Sequence, residues 1–488
     1  MRGKNPITIG IEQFAQGVST SNNFSDGGFS PSTDQVNLTN TLGAMYQPAS
    51  PVNASTNLTT TDKIIASCED PSYGGNNRML LSVGTSDYGT FYTVSTSNVL
   101  ANKVTTSSAK FANGISQLIP WYDSSTASTN YYATTKAGSG GDVVQWDGNI
   151  TKDETWFSAT LAGSATLSAT TAWRPLLVYE TNLYVGDKNV LHRVTPDLTL
   201  SAILTLTVNE TITALGLDKG TGLMLIATTQ TGSNADGTYN SSSKVYLYDG
   251  LSNKASRVIP VEGLVTAFRS LDNATFAFFG NKFGIWTGNG IRFLRKLETT
   301  LASTSLTYPP KTTAIDNTLY FVENRRIMAY GELSGGTRKV FYPAFYNQLS
   351  SDNIDSISHL GSNVLGVAYE ISSVNKFYTF DTSSVATAGG SDFYFNRLNF
   401  EKEVQLKELY VEMNESLADA ASIGTFHAMD DTATNPTTVL TNSSGAAVYS
   451  MRIPLSFGDK RFRSVQPRIV GSANKGIKRM VLSFDVVE

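Results

Sequence analysis

Few residues in this chain could do bond-making chemistry. Histidine occurs three times, as His192, His359 and His427, and cysteine once, as Cys68. Scattered in this way they offer no ligand spacing for a Cys/His metal cluster. A Ser–His–Asp triad would have to draw its base from those three histidines, and no Gly-x-Ser-x-Gly elbow is present. His192 and His427 fall in strand-like runs and His359 follows one, which predicts structural roles. Gly138-Ser139-Gly140-Gly141 lies between two β runs and reads as a turn, not as a phosphate loop opening a helix. Asp430-Asp431 with Asp419 carries the ligand type that calcium takes, without EF-hand spacing, and a solvated loop suits it better. No catalytic residue, cofactor or metal is therefore assigned, and the chain is expected not to be an enzyme.

Two feature types could instead bind. The aromatic pairs Trp121-Tyr122, Tyr131-Tyr132 and Trp156-Phe157 could stack on sugar rings if they stood on loops; packing between sheets is the competing reading. The basic run Lys460-Arg461-Phe462-Arg463, with Arg468 beyond it, could meet phosphate or an acidic neighbouring subunit. It could equally be an edge strand whose charges discourage edge-to-edge pairing.

The elements that would position these residues are strands. The 488 residues include only 37 basic and 41 acidic ones, 16% of the chain. Ser and Thr together number about 110, so small neutral polar residues cover the surface. That composition excludes a coiled coil or helical repeat. Fifty-one aromatic residues (24 Phe, 22 Tyr, 5 Trp) and 40% hydrophobic content exclude a disordered chain. A formal net charge of -4 excludes a bulk nucleic-acid binder. A lone cysteine forbids an intrachain disulfide and suits folding in a reducing compartment. No run of about 18 apolar residues predicts a membrane helix, and no apolar run of signal-peptide length follows Met1-Arg2-Gly3-Lys4.

Three regions follow. Residues 1–60 hold five charged residues and apolar anchors without a period, including Phe14, Phe24, Phe29 and Met45. They predict an extended arm that gains order by lying on a neighbouring subunit. Residues 61–392 repeat a unit of two apolar runs, the second ending in aromatic residues. The clearest copy is Met224-Leu225-Ile226-Ala227 with Val245-Tyr246-Leu247-Tyr248-Asp249-Gly250. The second runs end near residues 92, 146, 193, 248, 286, 330 and 380, a mean step of about 48, the spacing of β-propeller blades. Trp146-Asp147, Tyr248-Asp249 and Phe380-Asp381 predict strand ends whose carboxylates cap turn amides. Residues 393–488 alternate strictly in several stretches, with Leu409, Val411 and Met413 on one face, and predict a β-sandwich of jelly-roll type. The expected fold is thus all-β: an arm, about seven blades, and a C-terminal sandwich.

Thr85-Ser86-Asp87-Tyr88-Gly89-Thr90-Phe91-Tyr92 is similar to the Asp box of sialidase-type propellers, a structural turn between adjacent strands. As a whole, the low-charge all-β composition, the arm, the seven-unit repeat and the basic C-terminal strands resemble virion proteins of tailed bacteriophages, most of all tail hub or nozzle proteins. The resemblance implies a structural role in a symmetric ring of copies. It also implies other virion proteins (portal, adaptor, tail or capsid) as partners, DNA passing through, no membrane insertion, and folding in the host cytoplasm before incorporation into the virion. Phe14, Phe24, Phe29, Met45, Lys460, Arg461, Arg463 and Arg468 are the expected interface residues. A capsid-surface spike or a receptor- or glycan-binding propeller is the alternative.

Overall fold

The computed structural model describes residues 7–11, 39–41, 44–46, 52–53, 63–69, 77–83, 89–95, 100–105, 117–124, 127–134, 143–146, 167–168, 173–230, 242–297, 310–323, 326–332, 339–346, 353–371, 373–383, 392–395, 397–430, 435–471 and 475–487. Every regular element among them is a strand, and no helix there is long and apolar enough to cross a membrane. The chain divides into two compact units, one of residues 51–325 and 349–380, the other of residues 1–50, 326–348 and 381–488.

Seven small antiparallel sheets follow one another along the chain as the blades of a propeller. Blade one holds Lys63–Glu69, Asn77–Val83, Gly89–Ser95 and Leu100–Thr105. Blade two has three strands, Leu118–Asp123, Ser128–Thr134 and Val143–Trp146. Blade three holds Leu176–Tyr179, Asn182–Asp187, Val190–Val194 and Leu200–Thr205; blade four, Glu210–Leu217, Met224–Gln230, Ser242–Tyr248 and Arg257–Glu262. Blade five holds Val265–Leu271, Ala274–Phe279, Lys282–Trp286 and Ile291–Lys296; blade six, Thr312–Ile315, Thr318–Glu323, Arg326–Glu332 and Lys339–Tyr346. Blade seven takes Asn353–His359, Val364–Ile371 and Val374–Asp381 from one end of the repeat. Its outermost strand is Val52–Asn53, paired with Thr379 and Tyr378.

The first strands of successive blades are neighbours around a closed cycle, with that of blade seven beside that of blade one. Four of them carry a register shift at the same place: between Ile64 and Ala66, Ile212 and Ala214, Val265 and Ala267, and Ile354 and Ser356. One extra residue is accommodated there, which re-aims a side chain and sharpens the twist. At three of the four that residue is polar and buried: Thr213, Thr266 and Asp355.

Hydrogen bonds from side chains to backbone stitch the seams. Gln117 joins blades two and three, its amide bonding both the N–H (3.1 Å) and the carbonyl (3.3 Å) of Leu176. Trp173 Nε1 donates to the Thr213 carbonyl at 2.8 Å, and Thr213 Oγ1 donates onward to Val265 O at 2.7 Å. His359 N–H donates to Thr313 Oγ1 at 3.1 Å, and Ser356 Oγ donates to Ile64 O at 3.2 Å, closing the cycle. Between blades four and five the Phe268 side chain fills the space beside Gly216, where an added Cβ would stand 2.4 Å from Phe268 Cβ. The apolar core follows the same seam: Leu225, Val245 and Ala214 of blade four pack with Val265, Phe268 and Trp286 of blade five.

Strand ends behave as the aromatic–Asp pattern predicts. Asp249 accepts from the N–H groups of Leu251 (2.9 Å) and Ser252 (2.8 Å), and Asp381 from Ser383 N–H at 2.9 Å. Asp147 lies outside the described residues. In blade one Val83 pairs with Gly89; residues 85–88 of the Asp-box-like stretch lie outside the described residues.

The C-terminal strands form one hydrogen-bonded sheet of ten strands that curls on itself. Its axis is the 20-residue strand Leu398–Leu417, which pairs with Phe462–Gly471 near its start and with Val448–Pro454 and Ile477–Val486 further on. Val404 and Leu406 are buried, and then Leu409, Val411 and Met413. The change from even to odd positions is produced by a bulge between Leu406 and Glu408, which resets the pleat. Three pieces of the expected arm join this sheet: Ile7–Ile11 pairs with residues 480–484, Thr39–Thr41 pairs with Ala44–Tyr46, and Met45 pairs with Ile477. Thus the described strands of residues 1–60 lie on this chain's own sheets. At the other boundary, Asp392–Tyr394 pairs with Phe462–Gly471.

The seam between blades four and five supplies the first expected outcome. Thr213→Val keeps the shape but leaves the buried Val265 carbonyl without its donor, and should cost about 1–2 kcal/mol. Gly216→Ala drives a methyl group into Phe268 and should cost about 1–3 kcal/mol. Urea denaturation would register both; unchanged midpoints would show that the seam does not carry stability.

A second concerns His192, buried in blade three beside the Arg174–Asp187 ion pair (3.0 Å), with Nδ1 lacking a hydrogen-bond partner. Burial holds its pKa below the ordinary 6.5; Asp187 opposes that shift and Arg174 adds to it. The unfolded chain therefore takes up the proton first. This contribution to stability is intact above about pH 6.5 and is lost as the pH falls below it. Melting temperatures should drop on acidification more steeply for the native chain than for His192→Asn; parallel curves would contradict this.

Candidate functional site

One cavity in the propeller unit is built from the innermost strands of successive blades. It measures about 290 Å³ and is lined by Gln117 and Ile119, residues 175–178, residues 213–217, residues 266–270, and Trp173, Lys219 and Pro310. Blades two to five thus each contribute wall, and the approach to blade six contributes Pro310. The recurrent bulge brings Thr213 and Thr266 to this wall, and both hydroxyls are spent on backbone carbonyls, Val265 O at 2.7 Å and Phe278 O at 3.3 Å. Apolar side chains make up most of the remaining lining.

Among the described residues two cations line the cavity and no carboxylate does. Arg269 reaches across to blade six, where Nε (3.1 Å) and Nη2 (2.9 Å) both donate to the Thr312 carbonyl; Nη1 donates to Phe268 O at 2.8 Å. A guanidinium has five N–H donors, so two remain. No acid neutralises it, and burial pulls its pKa down to about 10. Lys219 begins a turn at the end of the first strand of blade four. Its backbone N–H is held by Thr275 Oγ1 at 3.1 Å while its side chain is exposed. The adjacent Asp218 is turned inward, its carboxylate accepting from Gly220 N–H at 2.9 Å and Thr221 Oγ1 at 2.8 Å.

Three buried acids of the propeller, Asp187, Glu210 and Glu323, lie elsewhere and are paired. Asp187 meets Arg174, and Glu323 meets Arg295 at 2.9 Å. Glu210 accepts from Lys244 Nζ at 2.5 Å and Tyr246 Oη at 2.7 Å. Its carboxylate raises the Lys244 pKa through that bond; burial first, then the same carboxylate, raises that of Tyr246. Such neutralised charges fix packing.

The residues singled out in the sequence are distributed differently. Phe14, Phe24 and Phe29 lie outside the described residues; Met45 sits in a strand paired with Ile477. The basic run is engaged within its own unit: Lys460 bonds Asp430 at 2.8 Å, and Arg461 and Arg463 both lie 3.6 Å from Glu403. Arg468 is in a central strand opposite His427. Asp430 is therefore held by a lysine, and Asp419 accepts from Gly445 N–H at 2.9 Å. Among the described residues no group of acids, histidines and cysteines could hold a metal ion. Trp121, Tyr131 and Tyr132 are buried, with Trp121 edge-on to Tyr132 at 5.1 Å and its indole donating to Thr181 O. They serve blade packing, and only Tyr122 of the described aromatic pairs is exposed. Trp156 and Phe157 are outside the described residues. Arg269 and Lys219 were not picked out by sequence reasoning. A signal for the wall existed, however, in the recurring triplets Ile212-Thr213-Ala214 and Val265-Thr266-Ala267.

No protein-family model matches the chain, and no curated protein does. Among solved structures it is similar to the exo-β-1,3-galactanase of Phanerochaete chrysosporium, determined with galactose. The identity is 9%, the match covers 92% of this chain and 100% of that one, and the TM-score is 0.35. This corrects the expectation that the chain is not an enzyme. That expectation rested on missing motifs, and a protein matched along most of this chain is an enzyme without sharing its sequence. At such a TM-score the likeness brings neither activity nor substrate to this chain.

Proposed function

We propose that the chain is a structural protein of a tailed-bacteriophage type virion, a tail hub, nozzle or connector component that assembles as a ring. One observation carries this reading: several strands at the margins of the curled sheet have a single partner among the described residues, and two of these margins present apolar side chains to water. Ile7–Ile11 pairs only with Ile477–Val486, and Thr437–Thr441 ends the strand order at the other side. Ile7 is 50% exposed and Val439 57%. Open edges are templates for pairing with another chain. Pairing between these two different edges would be a head-to-tail contact, which generates a ring when the rotation closes. Low charge suits surfaces that spend much of their area against copies of themselves. In this reading the ring would contact portal, adaptor, tail or capsid proteins, with DNA passing, after folding in the host cytoplasm.

Native mass spectrometry and particle symmetry test it. A sixfold or twelvefold ring is the expected result; a fivefold ring would move the protein to a capsid vertex, and a monomer at high concentration would overturn the reading. Ile7→Lys and Val439→Lys, both at exposed positions, should each leave the melting temperature within about 2 °C of the native value and abolish the ring.

A further inference from the structure

The geometry points to the propeller cavity as a binding site for a small oxyanion, borne by a ligand no larger than about one sugar ring. Three observations carry it, none of which depends on the assembly reading. First, among the described residues the cavity presents Arg269 and Lys219 and no carboxylate. The nearest acid in sequence, Asp218, is occupied by its own turn. Second, Arg269 is held in place before any ligand arrives. Thr312 O and Phe268 O take three of its N–H groups, and two remain for an acceptor. Carbonyl partners orient the fork without neutralising it. Third, a guanidinium among apolar walls acts through a low local dielectric, so its pull on an anion exceeds that of a surface arginine. A neutral ligand would leave that charge uncompensated. A volume of about 290 Å³ admits a carboxylate- or phosphate-bearing monosaccharide, or the free anion, but not a polymer strand. The shared chemistry is an oxyanion accepting from Arg269, with Lys219 at the rim.

Isothermal titration calorimetry of the full chain at low salt separates the sources. The probes are glucuronate, glucose 6-phosphate, inorganic phosphate and uncharged glucose. At least one anionic probe should bind, and glucose should bind at least about tenfold more weakly than its charged counterparts. Glucuronate alone would assign a sugar carboxylate, and phosphate alone or with glucose 6-phosphate would assign a phosphate; each supports the site. Arg269→Gln removes the fork and should abolish binding. Because Arg269 also ties blades five and six, the decisive variant is Lys219→Glu. It lies at an exposed position, should melt as the native chain does, and should weaken anion binding at least about tenfold. No binding of any anion up to about 10 mM, equal binding of glucose, or undiminished binding by Lys219→Glu would each overturn the proposal.

Discussion

The propeller depends on one constraint at the seam between blades: the innermost strand must pass very close to its neighbour and still satisfy its backbone. A four-stranded sheet exposes two apolar faces and cannot bury both alone. Closing a cycle of seven buries them but crowds the first strands together. The chain meets this with a bulge and a small residue. Ala66, Ala214, Ala267 and Ser356 stand just beyond the bulge, in blades one, four, five and seven. Where the approach is tightest even alanine is too large, and the position is Gly216. Carbonyls at the bulge are then recovered by hydroxyls, as with Thr213 and Ser356.

That constraint gives the composition a cause. A lysine or glutamate at a seam would be a buried charge costing several kcal/mol unless paired. A threonine donates one hydrogen bond, prefers the extended backbone and adds no charge. Seven seams therefore call for threonine and serine where other folds would place charges on a solvated face. Two of the buried acids, Asp187 and Glu323, are each matched by an arginine, Arg174 and Arg295.

The blades were legible because period-two alternation and aromatic strand ends are local signals. So was the polarity of Leu398–Leu417 around Leu409, Val411 and Met413. What could not be read is what pairs across long separations. Two residues, Val52–Asn53, complete blade seven from more than 300 positions away, and nothing local marks them as a strand. Ile7–Ile11 was placed in an arm seeking another subunit, whereas its partner is the last strand of the same chain. The run Lys460 to Arg463 reads as a bare positive patch because Glu403 and Asp430 are distant in sequence. The cavity was invisible for the same reason: its walls come from residues 117 to 310, and Arg269 looks like any strand arginine until its acceptors prove to be carbonyls.

A lone arginine in such a molecule has more influence than its single charge suggests. The chain as a whole is negative, at -4, yet among the described residues this cavity carries two cations and no acid. Surface charges are screened within about 10 Å at ordinary ionic strength, so the acidic exterior does little to cancel the field inside. Apolar walls focus that field toward the opening. Elsewhere in the propeller Arg174 and Arg295 are each met by a carboxylate. At Arg269 the backbone holds the side chain still and leaves its charge for something else to meet.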